Sequence, residues 1–474
     1  MPLSPLHVSA SLALSLLVVS SPARAQDSTS AKIKGFVRVE MGRHQIPGLA
    51  LLVLREDRVI FAGNFGVADQ TRKTPVTERT SFEIASMTKP FTDAAVLLLS
   101  EQGKLAVTDL LSRYFHDLPP AWQTITIQQL MNHTAGLRDD WDEGDLYFTS
   151  KTTTGEFFEA LKASPLVFDP GTDWSYSAGP FVLGLLIERL SGMSYAEFMR
   201  ESLFGPLRMA FTGVNDSTAN VPDRASGYVV RDGVLQRGTR ISPAARARAD
   251  VGIRTTVHDL ALWSAALNDR SLLSAASHNL MFTPGHLNNG EVIAHGLGWF
   301  VTPFRGHTEI AHGGRFRTGF SSVIARYPDD GLTIIVLTNQ FAVRPSLMAR
   351  EIASFYNNEY RPIRTMRQRP DDHPSRTKVA ARIINALKDG TFAEEMLPGV
   401  GRLGGWSRIE LRQELAQASP PTFVDCQNLA GKNAQAFGTP IVANCFYRTE
   451  GDRPRYWTIS FTAREQVAYV ELEQ

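Results

Sequence analysis

Cysteine is almost missing from this chain: 474 residues hold two, Cys426 and Cys445, both in the last fifth. No Cys/His grouping has the spacing of a zinc site, so no metal is expected. No glycine-rich loop follows a strand pattern, which excludes the usual phosphate cradles, and no cofactor is expected. An excess of either charge is missing as well. With 49 Lys+Arg against 48 Asp+Glu, nothing in the composition is built to hold a nucleic acid. The apolar run near the start, "VSASLALSLLVVS" (Val8 to Ser20), has 13 residues and stops short of the roughly 20 that a spanning helix needs.

That run leads to Ala23-Arg24-Ala25, a small-x-small site, and reads as an export signal cleaved after Ala25. The segment before it, "MPLSPLH", departs from the pattern by holding no Lys or Arg. No cysteine follows the run, which argues against a lipid anchor. Cleavage removes Arg24 and leaves 48 charges of each sign. The expected location is periplasmic or secreted, with no stable membrane insertion after cleavage. In an oxidising compartment a Cys426–Cys445 disulfide is plausible, contributing on the order of 3 kcal/mol by closing its loop, with two free thiols as the alternative.

What is there is a 43% hydrophobic chain, long enough for two or three domains at roughly 150 residues each. After the signal, "AKIKGFVRVEMGRHQ" reads as a helix, and "GLALLVLR" and "RVIFAGNFG" as a strand pair about Glu56-Asp57. From Met87 to about Asn268 the apolar spacing is mostly helical, broken by loops such as "NHTAGLRDDWDEGD" and "DPGTDWSYSAGP". Strand patterns return in "HGLGWFVTP", "TGFSSVIARYP" and "GLTIIVLTNQ", and "RPSLMAREIASFYNN" closes the unit as a helix. Strands at both ends of a helical insert predict an α+β fold, one antiparallel sheet flanked by helices. The proline-rich, charged stretch 361–376 reads as a linker between a domain over 26–360 and a small α+β unit over 377–474. Neither a repeat nor a low-complexity tract interrupts this plan.

Within "TSFEIASMTKPFT", Ser86 and Lys89 stand one helical turn apart, so hydroxyl and amine share a face. Spacing alone decides nothing, because Ser375 and Lys378 repeat it. An unassisted serine is a poor nucleophile and needs a neighbouring base. Downstream of the first pair come Tyr176-Ser177-Ala178, about 90 residues on, and His312-Gly313-Gly314, about 226 residues on. Lys89 could take the serine proton if burial disfavours its charge, or it could hold Tyr176 as a phenolate. For His133 in "NHTAG" the structural reading, a loop histidine at a helix end, outweighs a catalytic one.

The order Ser-x-x-Lys, Tyr-x-x, His-x-Gly resembles the serine β-lactamase and penicillin-binding-protein superfamily. The closest likeness is to its branch of class C β-lactamases, D-Ala-D-Ala carboxypeptidases and esterases. "LMNHTAGL", "VLGLLIERLSGMSYAEFMRESLFGPLRM", "TTVHDLALW" and "GFSSVIARYPDDGLTIIVLTN" extend the likeness over roughly Ala31 to Asn358. It implies a β-lactamase/transpeptidase-like fold, with Ser86 as nucleophile, Lys89 beside it, Tyr176 as general base and His312 on the facing strand. It also implies an oxyanion hole from the N–H groups of Ser86 and of Arg315, just after Gly314.

Two departures bear on substrate. Ala178 stands where the family has the asparagine that bonds an acylamino carbonyl, and His312 replaces a lysine, leaving Arg315 and Arg317 as the candidate carboxylate anchors. The expected activity is ester hydrolysis through an acyl-serine, with a D-Ala-D-Ala carboxypeptidase or weak class C-type β-lactamase as the alternative. The expected partner is a small ester, β-lactam or D-amino-acid peptide. Oligomeric state is open. A catalytically weak binding module for cell-wall peptides is the reading from another class, and intact Ser86, Lys89 and Tyr176 argue against it. The C-terminal unit resembles the helix-plus-curved-sheet domains of the NTF2-like/cystatin-like type.

Overall fold

A computed structural model describes residues 22–138, 152–215, 223–389, 391, 396 and 415–473. The expected signal falls mostly on 1–21, outside the described residues. The chain enters through helix α1 (Pro22–Arg43), which begins ahead of the expected Ala31 start, and strands β1 (Gly48–Arg55), β2 (Arg58–Asp69) and β3 (Thr74–Pro75) follow. An insert then contributes α2 (Thr88–Glu101), α3 (Gly179–Ser191) and α4 (Val257–Asn268). Strands β4 (Phe300–Phe304), β5 (His307–Phe316), β6 (Phe320–Tyr327) and β7 (Leu332–Thr338) and helix α5 (Pro345–Ser354) complete the main unit.

These strands form one seven-stranded sheet in the order β3-β2-β1-β7-β6-β5-β4, with every pairing antiparallel. The predicted α+β architecture is therefore present, and β1 meeting β7 (Leu49 opposite Thr338, Arg55 opposite Leu332) is the closure of distant parts. Central strands read as continuous apolar runs because both faces are covered. On β1, Leu49, Leu51 and Val53 pack with Ile33 and Val37 of α1 and Met348 and Ile352 of α5. Ala50, Leu52 and Leu54 point the other way, into a core shared with Leu260 and Trp263 of α4. The two-residue period of the strand thus divides one apolar run between two cores.

The C-terminal α+β unit is also present. Helix α6 (Pro374–Asp389) places Ala380, Ile383, Ile384 and Leu387 on one face, against a sheet of β8 (Thr422–Asn428), β9 (Ala443–Thr449), β10 (Arg455–Phe461) and β11 (Val467–Glu473). β9, β10 and β11 fall on the strand-like segments "IVANCFYRT", "RYWTISFT" and "QVAYVELE", and the fourth strand is β8. It carries Cys426, directly opposite Cys445 on β9, and the two are joined by a disulfide. Arg350 of α5 ties the units together, bonding Glu309 of β5 at 2.6 Å and Glu471 of β11 at 2.7 Å. Arg305 adds an ion pair to Glu473.

Candidate active site

Ser86 sits in a single 3-10 turn, Ala85–Met87, that runs straight into α2. The turn is fixed from three sides. Ile84 N–H donates to the Ile253 carbonyl at 3.0 Å, and Ser322 Oγ of β6 donates to the Ile84 carbonyl at 2.8 Å. Glu83, buried just before it, accepts from Arg224 at 2.6 Å and Thr318 Oγ1 at 2.8 Å and pairs with Arg246. Ala85 is held at φ +50°, a left-handed conformation that costs a non-glycine residue on the order of 1 kcal/mol or more and that concentrates at functional sites. So much anchoring keeps a strained turn in one position.

One turn along α2, Lys89 is 1% exposed. Its Nζ donates to Ser86 Oγ at 3.2 Å and to the Asp250 carbonyl at 3.1 Å. The same Nζ lies 4.7 Å from the centre of the Tyr176 ring, a cation–π distance. Ser86, Lys89 and Tyr176, separated by up to 90 positions in sequence, therefore share one small volume. The duplicate pair is elsewhere: Ser375 and Lys378 lie exposed on α6.

His312 is 1% exposed on β5, its ring centre 6.2 Å from that of Tyr176, and its Nδ1–H donates to the Gly313 carbonyl at 2.7 Å. Gly314 faces the nucleophile turn so closely that a Cβ there would collide with the Ile84 carbonyl oxygen. Strand alternation then separates the next residue. The side chain of Arg315 is exposed and its guanidinium rests 5.1 Å over the Phe341 ring, so of this residue only the backbone is on the strand edge beside Gly314. The guanidinium expected to anchor a carboxylate is thus placed over Phe341. Arg317 lies in the exposed turn between β5 and β6, where its carbonyl accepts from Thr239 N–H at 2.7 Å. Ala178 is 3% exposed at the start of α3, within the main core.

Sequence reading undervalued one residue here and passed over two others. His133 stacks on Tyr176 with ring centres 4.5 Å apart, and its Nδ1 accepts from Ser177 N–H at 3.2 Å. That bond leaves the proton of the neutral ring on Nε2. His295 packs edge-on to His133 at 4.9 Å and donates from Nδ1 to the Gly296 carbonyl at 2.8 Å. All three imidazoles are buried, and burial first, with the Lys89 charge adding to it, holds each below the ordinary histidine value, His295 at about 4. The aromatic wall beside Tyr176 is thus uncharged at neutral pH. Asp93, one turn past Lys89, is also fully buried, and neither of its oxygens has a hydrogen-bond partner among the described residues. Burial pushes its carboxyl well above the usual range, against the opposing pull of the Lys89 charge. Its i+4 spacing from Lys89 in "KPFTD" was the signal available in sequence.

Among the described residues no group of three His, Cys, Asp or Glu side chains is arranged to hold a metal ion. The arrangement instead offers a serine hydroxyl bonded to a lysine amine, with the face of a tyrosine ring packed against that amine.

Comparison with known proteins agrees with this geometry. The chain is 32% identical to penicillin-binding protein 4* of Bacillus subtilis over 319 residues, 63% of this chain and 69% of that one. The crystal structure of a penicillin-binding protein from Bacillus halodurans matches with a TM-score of 0.58 at 27% identity, covering 67% of this chain and 98% of that one. An octameric penicillin-binding protein homologue from Pyrococcus abyssi shares the fold over 91% of this chain and 90% of its own, at 20% identity and a TM-score of 0.62. The Beta-lactamase family model matches residues 33–356, and the chain belongs to that family of serine hydrolases.

Proposed function

We propose that this protein is an exported serine hydrolase that works through an acyl-serine intermediate and prefers simple esters. The observation that carries the reading is the contact of Lys89 Nζ with Ser86 Oγ at 3.2 Å while the same nitrogen lies against the Tyr176 ring. In this reading Lys89, held by Ser86 Oγ and the Asp250 carbonyl, acts as the cation that favours the anionic form of the neighbouring phenol. Tyr176 then takes the proton as Ser86 Oγ attacks the carbonyl carbon. The tetrahedral oxyanion is received by the N–H groups of Ser86 and Arg315, the alcohol leaves with the proton returned by Tyr176, and water repeats the sequence on the acyl-serine.

The preference for esters rests on what surrounds Ser86. Ala178 offers no amide to an acylamino carbonyl, His312 is neutral, and the Arg315 guanidinium lies over Phe341. The second reading, a D-Ala-D-Ala carboxypeptidase, draws on the name of the Bacillus subtilis relative. Peptide mapping after treatment with a fluorophosphonate tests the mechanism. Label on Ser86 with loss of ester turnover in Ser86→Ala is expected; label on Ser375, or undiminished turnover in Ser86→Ala, sinks it. A stable acyl complex with labelled penicillin would favour the carboxypeptidase instead.

A further inference from the structure

Beyond the nucleophile turn lies a cavity of about 1000 Å³ to which neither Ser86, Lys89 nor Tyr176 contributes. Four stretches line it: residues 68–80 after β2, residues 223–227, residues 237–246, and Thr318 and Phe320 at the β5–β6 turn. Ile241 of its wall packs with Val251, Phe316 and Ala85, the residue before Ser86.

Its walls carry five guanidinium groups, those of Arg72, Arg224, Arg237, Arg240 and Arg246. The acids that contact them are shared. Asp69 accepts from Arg72 at 3.2 Å and Arg237 at 2.9 Å, and also from Ser226 Oγ and the N–H groups of Thr71 and Arg72. Glu83 holds both Arg224 and Arg246, and Asp223 is paired with Arg79 at 3.2 Å. Arg240, exposed on the rim, has no ion pair or hydrogen bond among the described residues. Four of the five wall arginines thus share two carboxylates and Arg240 has none, in a chain whose total charge is +1.

A concave surface on which guanidinium groups outnumber carboxylates focuses its field on a bound anion. Planar guanidinium forks match carboxylate and phosphate oxygens in pairs. The volume suits a small molecule, not a chain. Five arginines on one concave wall thus gather positive charge here. We propose that this cavity binds a small polyanion, a molecule with two or more carboxylate or phosphate groups. Two sources share that chemistry: a free effector, or the anionic end of a long ester whose carbonyl reaches Ser86. The second rests on the hydrolase reading; the binding itself does not.

Calorimetric titration of the full chain with citrate, against acetate at matched ionic strength, tests the site. Saturable binding of one citrate, no saturable binding of acetate, and at least tenfold weaker citrate binding by Arg240→Glu are expected. Since Arg240 holds no partner, the variant should melt with the natural protein. Absence of saturable citrate binding, or equal affinity in a folded Arg240→Glu, overturns the proposal. Ester kinetics then separate the sources. Citrate that competes only against an ester ending in a dicarboxylate marks the substrate's own end, and citrate that alters turnover of a neutral short ester marks an effector. If neither ester is turned over, the hydrolase reading fails while the citrate isotherm still decides the cavity.

Discussion

The imidazole of His133 lies flat against the ring of Tyr176, 4.5 Å between centres and 30° between planes, while its Nδ1 holds the N–H of Ser177. It therefore fixes both the plane of the phenol and the loop that carries it. His133 adopts φ +63°, which asparagine tolerates better than most residues. His133→Phe keeps a ring for stacking but loses the acceptor, and a drop in kcat of about tenfold, or 1.4 kcal/mol, is expected with KM changed little. His133→Asn should recover part of the loss by supplying an acceptor. Equal losses of stability and rate in both variants would reduce His133 to a packing role.

The three buried imidazoles set a pH limit. A histidine whose folded value is depressed leaves the unfolded chain to bind the proton first, so its contribution to stability is complete above about pH 6.5 and lost as pH falls. For His295, held at about 4, that fall spans pH 6.5 to 4 and amounts to about 3 kcal/mol. Unfolding midpoints in urea between pH 7.5 and 4.5 should drop steeply, and less steeply in His295→Phe. An unchanged slope in the variant would show that His295 is not one of the groups that titrate on unfolding.

Asp93 has the opposite sign. Its carboxyl is raised by burial, so the unfolded chain releases the proton first, and stability is complete at low pH and lost as pH rises past about 3.8. Replacing it by the neutral isostere should help most where the penalty is largest. Asp93→Asn is expected to raise Tm by a few degrees at pH 8 and to make little difference near pH 4. A lower Tm at pH 8 would mean that the ionised carboxylate is needed in the folded state.

The catalytic constellation was legible because its motifs keep their order and chemistry: a serine and lysine one turn apart, a tyrosine in a loop, a His-Gly-Gly on a strand. The sheet was legible because β1 and β7 are nearly continuous apolar runs, as doubly covered strands are. Side-chain direction was less so. "HGGR" does not reveal that Gly314 turns inward, and that inward turn sends the Arg315 guanidinium to Phe341. Nor could His295 be found, since its place beside His133 arises from a loop about 160 residues away that packs against Trp174 and Phe300. The arginine cavity is assembled from four stretches, and no single one of them is basic enough to stand out.

Ala178 bears on which carbonyl compounds the site accepts. It is 3% exposed at the start of α3. An asparagine there would present its amide to the acylamino carbonyl of a β-lactam or peptide. A hydrogen bond gained in a site shaped to use it is worth about 1 to 3 kcal/mol, roughly 5 to 150-fold in rate constant. Short-chain esters have no such carbonyl and should be indifferent. Ala178→Asn is thus expected to raise kcat/KM for a cephalosporin or an acyl-D-Ala-D-Ala peptide while leaving a p-nitrophenyl ester nearly unchanged, with Tm followed because the new side chain enters a buried position. Equal effects on both substrate classes would remove Ala178 from the substrate site, and efficient cephalosporin hydrolysis by the natural protein would overturn the preference for esters.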